Sequence, residues 1–381
     1  MTARVSPTAD VVIIGGGIIG SIIAFELAKR GAEVTVVERG RAGGEASGAA
    51  AGIISPPSEA GTPAASAEIT SRSIRDYPDL IAEVEELTGL DVGFRWRGEL
   101  TVAQTDDEAA VLQQLVEAHT RAGFRSEWLD DRTAREAEPL ITGDIRGGIL
   151  SHEAGSLFPD RLTRAIAAAA IRHGVTLLEH TEALGITIEG DRATGVRVLD
   201  GTIPAGQVVL ATGAWTARFG VELGRPLPVV PAKGQMLAIT GAPQPRHIIG
   251  RYRGGHLVPR PDGTTAVGAT IEYRGFDKRV TGDNIRWCLE MVGEVAPTLL
   301  GGEVVSHWTG LRPSLPGKEP VMGRVPGYDR LWVTAGHLRA GIQRAPETGK
   351  LMAAAVATGR PDPLLAAFDP AQLAQVGVEQ G

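Results

Sequence analysis

Val11-Val12-Ile13-Ile14-Gly15-Gly16-Gly17-Ile18-Ile19-Gly20 decides the fold of this 381-residue chain. Its first four residues are a β-branched run, apolar on both faces, as a strand buried in a parallel sheet requires. The run stops at glycine. From Ile18 to Arg30 the apolar positions Ile18, Ile19, Ile22, Ile23 and Leu27 recur at helical spacing, while Glu26, Lys29 and Arg30 gather opposite. That pattern predicts an amphipathic helix, which Gly31 ends. Val34-Thr35-Val36-Val37 is a second buried strand, so β-turn-α-turn-β is complete within about 30 residues, with Glu38 at its end.

Gly15, Gly17 and Gly20 satisfy G-x-G-x-x-G, but in a chain with 50 glycines the bare pattern arises by chance roughly once. Its weight comes from the strand before it, the helix after it, and the acidic residue closing the second strand. The chemistry follows. Gly15 allows the tight turn, Gly17 lets backbone approach a pyrophosphate, and Gly20 permits close helix-to-strand packing. The helix N-terminus offers unpaired N–H groups and partial positive charge to the pyrophosphate. Glu38 is placed to accept hydrogen bonds from ribose hydroxyls and argues against a 2′-phosphate. NAD and FAD both satisfy this description.

The formal net charge of −7 provides no general attraction to nucleic acid or anionic lipid, so an anionic substrate must meet local arginines. The single cysteine, Cys288, excludes internal disulfides and C-x-x-C sites and suits a reducing cytoplasm. Eight scattered histidines show no ligand spacing, and no metal is expected. The apolar run 11–27 contains Glu26 and five glycines or alanines, and reads as neither signal peptide nor membrane span. Further along, 107–122 and 159–173 read as helices, 208–211 as a strand, and 249–273 as antiparallel strands around Pro261-Asp262-Gly263. Residues 43–63 are nearly all small, which means either a linker or backbone pressed against a ligand.

Gly44-Glu-Ala-Ser-Gly-Ala-Ala-Ala-Gly52, Leu210-Ala-Thr-Gly-Ala-Trp215, His256-Leu-Val-Pro-Arg260, Trp308-Thr-Gly-Leu-Arg-Pro313 and Ala335-Gly-His-Leu-Arg-Ala-Gly-Ile342 together resemble the D-amino-acid oxidase superfamily of FAD enzymes. Bacterial glycine oxidases are the nearest branch, with sarcosine oxidases and D-amino-acid dehydrogenases as relatives. The resemblance runs from residue 10 to about 355 and implies non-covalent FAD. It also implies an α/β fold with an α+β second domain: a Rossmann-type FAD-binding domain (1–85, 145–220, 315–381) and an interleaved antiparallel-sheet substrate domain (86–144, 221–314). Cofactor contacts are then expected from Gly15, Gly17, Ile18, Ile19, Gly20, Glu38 and Arg39. Others come from Ala46, Ser47, Ala50, Ala51, Gly52 and Ile54, and from Ala183, Ala211, Thr212, Gly213 and Trp215. The last group is Gly336, His337, Leu338, Arg339, Gly341 and Ile342.

Arg312 matches the family arginine that clamps the α-carboxylate, whose planar fork makes two parallel charge-assisted hydrogen bonds. Arg339 adds positive potential near the carboxylate or the flavin. Where the family commonly carries a carboxylate-binding Tyr, this chain has His256. In an extended strand Tyr252 would share the face of His256, so either could serve. The implied reaction is hydride transfer from the carbon next to nitrogen onto flavin N5, giving an imine that water hydrolyses. No residue is assigned as acid or base, because an amine bound neutral needs none. The implied acceptor is dioxygen, with a dehydrogenase serving a quinone or carrier as the rival, and a non-catalytic flavin-binding module as a rival of another class. Oligomeric state stays open, homo-oligomers included.

Overall fold

The computed structural model describes residues 9–57, 61–315, 317 and 319–375. The outermost limits expected for the FAD-binding half, residues 1 and 381, fall outside them.

Two eight-stranded sheets carry the chain. In the first, Ala9–Ile14 lies at the centre, parallel to Val34–Val37 on one side and to the end of Gly201–Leu210 on the other. Strand alternation sends Val11 and Ile13 into one apolar layer, shared with the helices Ile18–Ala28, Pro159–Arg172 and Ala345–Thr358, and Val12 and Ile14 into the other. Each such fully buried side chain contributes about 1.5–3 kcal/mol.

The Ile18–Ala28 helix departs from its sequence pattern. It is buried on nearly every side, Glu26 included, because it lies under two further helices as well as on the sheet. A Cβ on Gly349 of the Ala345–Thr358 helix would sit only 2.6 Å from Ile22 Cγ1, so the contact requires glycine there. Glu26 tolerates burial because Lys29 and Arg30 reach to 3.8 and 4.0 Å of its carboxylate. The expected polar face is therefore a short charged cluster at one end of a core helix.

The second sheet runs in the order Glu303–Ser314, Val230–Thr240, Thr265–Gly268, His256–Pro259, Ile248–Arg251, Glu99–Ala103, Gly147–Ser151, Ser126–Asp130. The antiparallel strands expected within 249–273 are three of these, and Asp262 Oδ1 closes the turn by accepting from the amide of Thr264 at 3.0 Å. Gly147–Ser151 belongs here and not with the cofactor-binding stretch 145–220. Its neighbours, Glu99–Ala103 and Ser126–Asp130, are the strands just before it in the chain, and consecutive strands tend to pair.

Alternation sorts this sheet's faces. Leu100, Val102, Leu237, Ile239, Ile249, Leu257 and Val267 pack against Cys288, Met291, Val292 and Val295 of the Gly282–Val295 helix. The opposite face is read from the register. Arg312 stands opposite Ala232, Gly310 opposite Gly234, and Trp308 opposite Met236; then come Gly268, His256, Gly250 and Thr101, each opposite the last. Four glycines on one face leave a shallow floor with a few long side chains rising from it. Between that floor and the turns of the first sheet lies one cavity of about 980 Å³.

Candidate active site

The cavity begins at the turn after Ile14. Gly15 has φ +110°, and a Cβ there would lie 2.4 Å from the carbonyl oxygen of Ala211; a Cβ on Gly20 would lie 1.9 Å from the carbonyl of Gly15. Only glycine lets strand, helix and the 211–215 turn converge this closely. Both carboxylate oxygens of Glu38 hold backbone: Oε2 accepts from the amide of Gly16 at 2.8 Å and Oε1 from that of Gly40 at 2.7 Å. Each oxygen keeps a further lone pair. At the helix start the hydroxyl of Ser47 accepts from the amide of Ile18 at 2.9 Å. Beside it, the Arg39 guanidinium stacks 3.7 Å from the Trp215 ring centroid.

The small-residue stretch is no linker. It is a run of tight turns tied to the first sheet by the bond from the Gly43 amide to the Gly16 carbonyl, 2.9 Å, and to the second by Trp308 Nε1 donating to the Ala49 carbonyl at 3.0 Å. A Cβ on Gly310 would be 2.6 Å from that of Ala49. Small residues on both sides let the segment run between the sheets along the cavity, as the alternative of close backbone approach requires.

On the far wall, His337 is buried and its Nε2 has no hydrogen-bond partner among the described residues. Burial, helped by the charge of Arg344, pushes its pKa down to about 3, so the imidazole is neutral. Arg312 is the chief charged group on the sheet floor. Its guanidinium lies over Gly234, where a Cβ would be 2.3 Å from Nη1, and it donates to the carbonyl of Thr270 at 2.9 Å. Burial, then the neighbouring charge of Arg339, lowers its pKa to about 10, which still leaves it a cation at neutral pH. A desolvated cation facing a cavity has the chemistry to pair with an anionic group.

Nearly all the residues expected at the site line this one cavity: Gly15, Gly17, Ile18, Ile19, Glu38 and Arg39; Ala46, Ser47 and 50–52; Ala183, Ala211, Thr212, Gly213 and Trp215; 337–339, Gly341 and Ile342; and Arg312 with His256. Four expected residues do not. Gly20 and Gly336 act one layer behind, accommodating Gly15 and Leu315. Ile54 pairs in a small three-stranded sheet and points into the core. Tyr252 is exposed and off the cavity. The shared face with His256 fails because the chain is not extended between them: Gly254 and Gly255, at φ +93° and +91°, reverse it, and Tyr252 stands on the hairpin. Cys288 is buried under the opposite face of the sheet, its thiol pushed up to about 11 by burial.

One group escaped the sequence. Glu99, almost fully buried, lines the cavity with Oε1 3.3 Å from His256 Nε2. As the first residue of a short alternating strand it reads as a solvated end; only its pairing beside Ile248–Arg251 places it next to His256.

The cradle at Gly15, the acidic residue on the turn, the small-residue run and the unpartnered imidazole nitrogen fit an extended dinucleotide with a flat ring system. A model of the FAD-dependent oxidoreductase family matches residues 10–355. The chain belongs to that family. Glycine oxidase of Pseudomonas putida is 34% identical over 343 residues, covering 90% of this chain and 93% of the relative. The crystal structure of glycine oxidase from Geobacillus kaustophilus superposes with a TM-score of 0.91 at 33% identity, covering 96% of this chain and 98% of that one. The structure of L-proline dehydrogenase from P. horikoshii gives 0.87 at 25% identity, covering 97% and 98%. This FAD-dependent oxidoreductase acts on amines or amino acids, and among its described residues no helix is long and apolar enough to cross a membrane.

Proposed function

We propose that the enzyme oxidises a small amino acid or secondary amine: glycine, an N-substituted glycine such as sarcosine, or a small D-amino acid. The observation that carries this reading is Arg312, a half-buried cation held over Gly234 in the cavity that Gly15 and Glu38 also line. On this reading Glu38 meets the adenosine ribose, and Ser47 with the start of the Ile18–Ala28 helix meets the pyrophosphate. The 46–52 and 337–342 segments flank the ring system. Bound FAD supplies a two-electron acceptor that takes hydride at N5.

The protein's part is placement and charge. Arg312 fixes the substrate carboxylate, with Arg339 adding positive potential. Gly234 makes room for the guanidinium of Arg312 and Gly268 for the side chain of Met236, so both lie flat along the floor. Loss of hydride from the substrate carbon next to nitrogen would let the nitrogen lone pair close a C=N bond, with the N–H proton released; water would hydrolyse the imine to oxo acid and amine, and the two electrons with two protons would pass to dioxygen as hydrogen peroxide. His337, neutral and buried, serves as wall and hydrogen-bond partner and not as a base. The single cysteine suits work in the cytoplasm.

Anaerobic titration of the yellow protein with glycine, sarcosine, D-alanine and D-proline tests this: at least one should bleach the flavin absorbance, and bleaching by none overturns it. A dehydrogenase serving a quinone or carrier is the second reading, favoured by the likeness to L-proline dehydrogenase. Oxygen uptake during turnover separates the two.

A further inference from the structure

Between the strand Thr265–Gly268 and the helix Gly282–Val295 the chain is pinned to the second sheet at two points. The amide of Glu272 donates to the Lys233 carbonyl at 2.9 Å, and the amide of Lys233 donates back at 2.8 Å. Further on, the amide of Thr281 donates to Gln235 Oε1 at 2.9 Å and Gln235 Nε2 to the Thr281 carbonyl at 3.1 Å. Residues 273–280 therefore leave the sheet as a strap with fixed ends, turned by Gly275 at φ +56°.

The strap crosses to the other half of the molecule. The Phe276 ring lies 5.2 Å from that of Trp215 at an interplanar angle of 30°, and Lys278 Nζ donates to Glu45 Oε2 at 2.8 Å. Glu45 gives its other oxygen to Arg39 Nη2 at 2.7 Å, and the Arg39 guanidinium stacks on Trp215. The contacts close a ring from Phe276 through Trp215, Arg39 and Glu45 to Lys278. Thr309, on the edge strand, braces it by donating to the Lys278 carbonyl at 2.7 Å. The three residues gripped, Arg39, Glu45 and Trp215, all line the cavity, and the first two are partly exposed, so they stand at its rim. Arg39 directly follows Glu38. Glu45 stands two residues before Ser47, whose hydroxyl takes the amide of Ile18.

We propose that Phe276 and Lys278 form a clasp over the adenosine end of the cofactor channel, and that its opening sets how fast FAD is released. Partly exposed contacts of this kind contribute little to folding; across the rim of a channel they govern how easily its contents leave. Through Glu45 the clasp holds the start of the small-residue segment, and through Trp215 it holds the 211–215 turn. Because the strap is pinned at both ends and its two gripping residues are two positions apart, the Glu45–Lys278 pair and the Phe276–Trp215 contact must open together. The inference rests on the placement of the adenosine at Glu38 and is independent of which amine is oxidised.

The test dilutes the holoenzyme and follows FAD release by the rise of free-flavin fluorescence. Both strap side chains are about half exposed and stand apart from the sheet's face, so their variants should fold and be purified with flavin. Lys278→Ala and Phe276→Ala should each release FAD about two- to tenfold faster than the wild type, and Lys278→Arg should return the rate close to it. Added NaCl should speed release from the wild type more than from Lys278→Ala, because screening weakens the charge pair that the variant lacks. A wild-type rate in either alanine variant overturns the inference, as does an equal salt effect in the wild type and Lys278→Ala. Glu38→Ala separates the clasp from its premise. If that variant releases FAD faster and the strap variants do not, only the clasp falls; if none does, the adenosine placement falls with it.

Discussion

The two sheets build their halves of the cavity from different material. The first presents backbone: a glycine turn, amides at a helix start, and a carboxylate held by two amides of its own turns. The second presents side chains, Arg312, His256 and Glu99, standing on a face otherwise cleared by glycines. A backbone site forms from residues adjacent in the chain and tolerates almost no added volume. A face site is assembled by strand register from residues more than two hundred positions apart, and its members can change while the sheet stays intact. Binding of the cofactor should therefore break sharply with small steric changes in the first half, whereas changes in the second should alter substrate constants and leave the flavin in place.

The most complete loss of bound flavin is expected at Gly20. With a Cβ 1.9 Å from the Gly15 carbonyl, Gly20→Val must move strand or helix, and overpacking of this kind costs about 1–3 kcal/mol or more. The purified variant should carry little flavin and melt at lower temperature; flavin content equal to wild type would show that the turn is not the cofactor cradle. Next is Arg312→Leu. Loss of one partner of a desolvated charge pair costs about 2–5 kcal/mol, roughly 30- to 4000-fold. That loss should appear in the apparent substrate constant with bound flavin unchanged, while Arg312→Lys recovers only part. Wild-type kinetics would remove Arg312 from the site.

Glu38→Ala tests the reverse pattern. It deletes two hydrogen bonds from a charged acceptor, each about 1.5–3 kcal/mol, and should weaken FAD binding by tenfold or more with little change in the amine constant. A change confined to the amine constant would invert the proposed division of labour.

The smallest effect is one of pH. His337 has a folded pKa near 3, well below that of an unfolded histidine, about 6.5. Between those values the unfolded chain binds more protons, so this residue makes stability rise with pH across the window and fall on acidification through it. His337→Gln should flatten the fall in melting temperature between pH 6 and pH 4. An unchanged slope would mean that the ring is protonated in the folded state.

These contrasts track what could be read before the fold was known. Val11–Ile14, Gly15, Gly20 and Glu38 announce a dinucleotide turn because they fall in that order within one contiguous strand-turn-helix-strand stretch. Arg312 needed more: family likeness singled it out, but only its seat over Gly234 shows it as a half-buried cation facing the cavity. The Ile18–Ala28 helix was misjudged in its surroundings, since periodicity reveals a polar side but not the two helices that cover it. Tyr252 was misplaced because the two glycines after it reverse the chain, and Gly147–Ser151 because a strand does not name its partners.

The sequence by itself determined the βαβ unit, the glycines at its turn, and the acidic residue that closes it, because all fall in fixed order within one contiguous stretch of about 30 residues. Only the tertiary structure decided that Glu99 meets His256 and that glycines on four strands make room on one face for Ala49, Arg312, Met236 and that pair, because register and alternation act between segments the chain itself holds far apart.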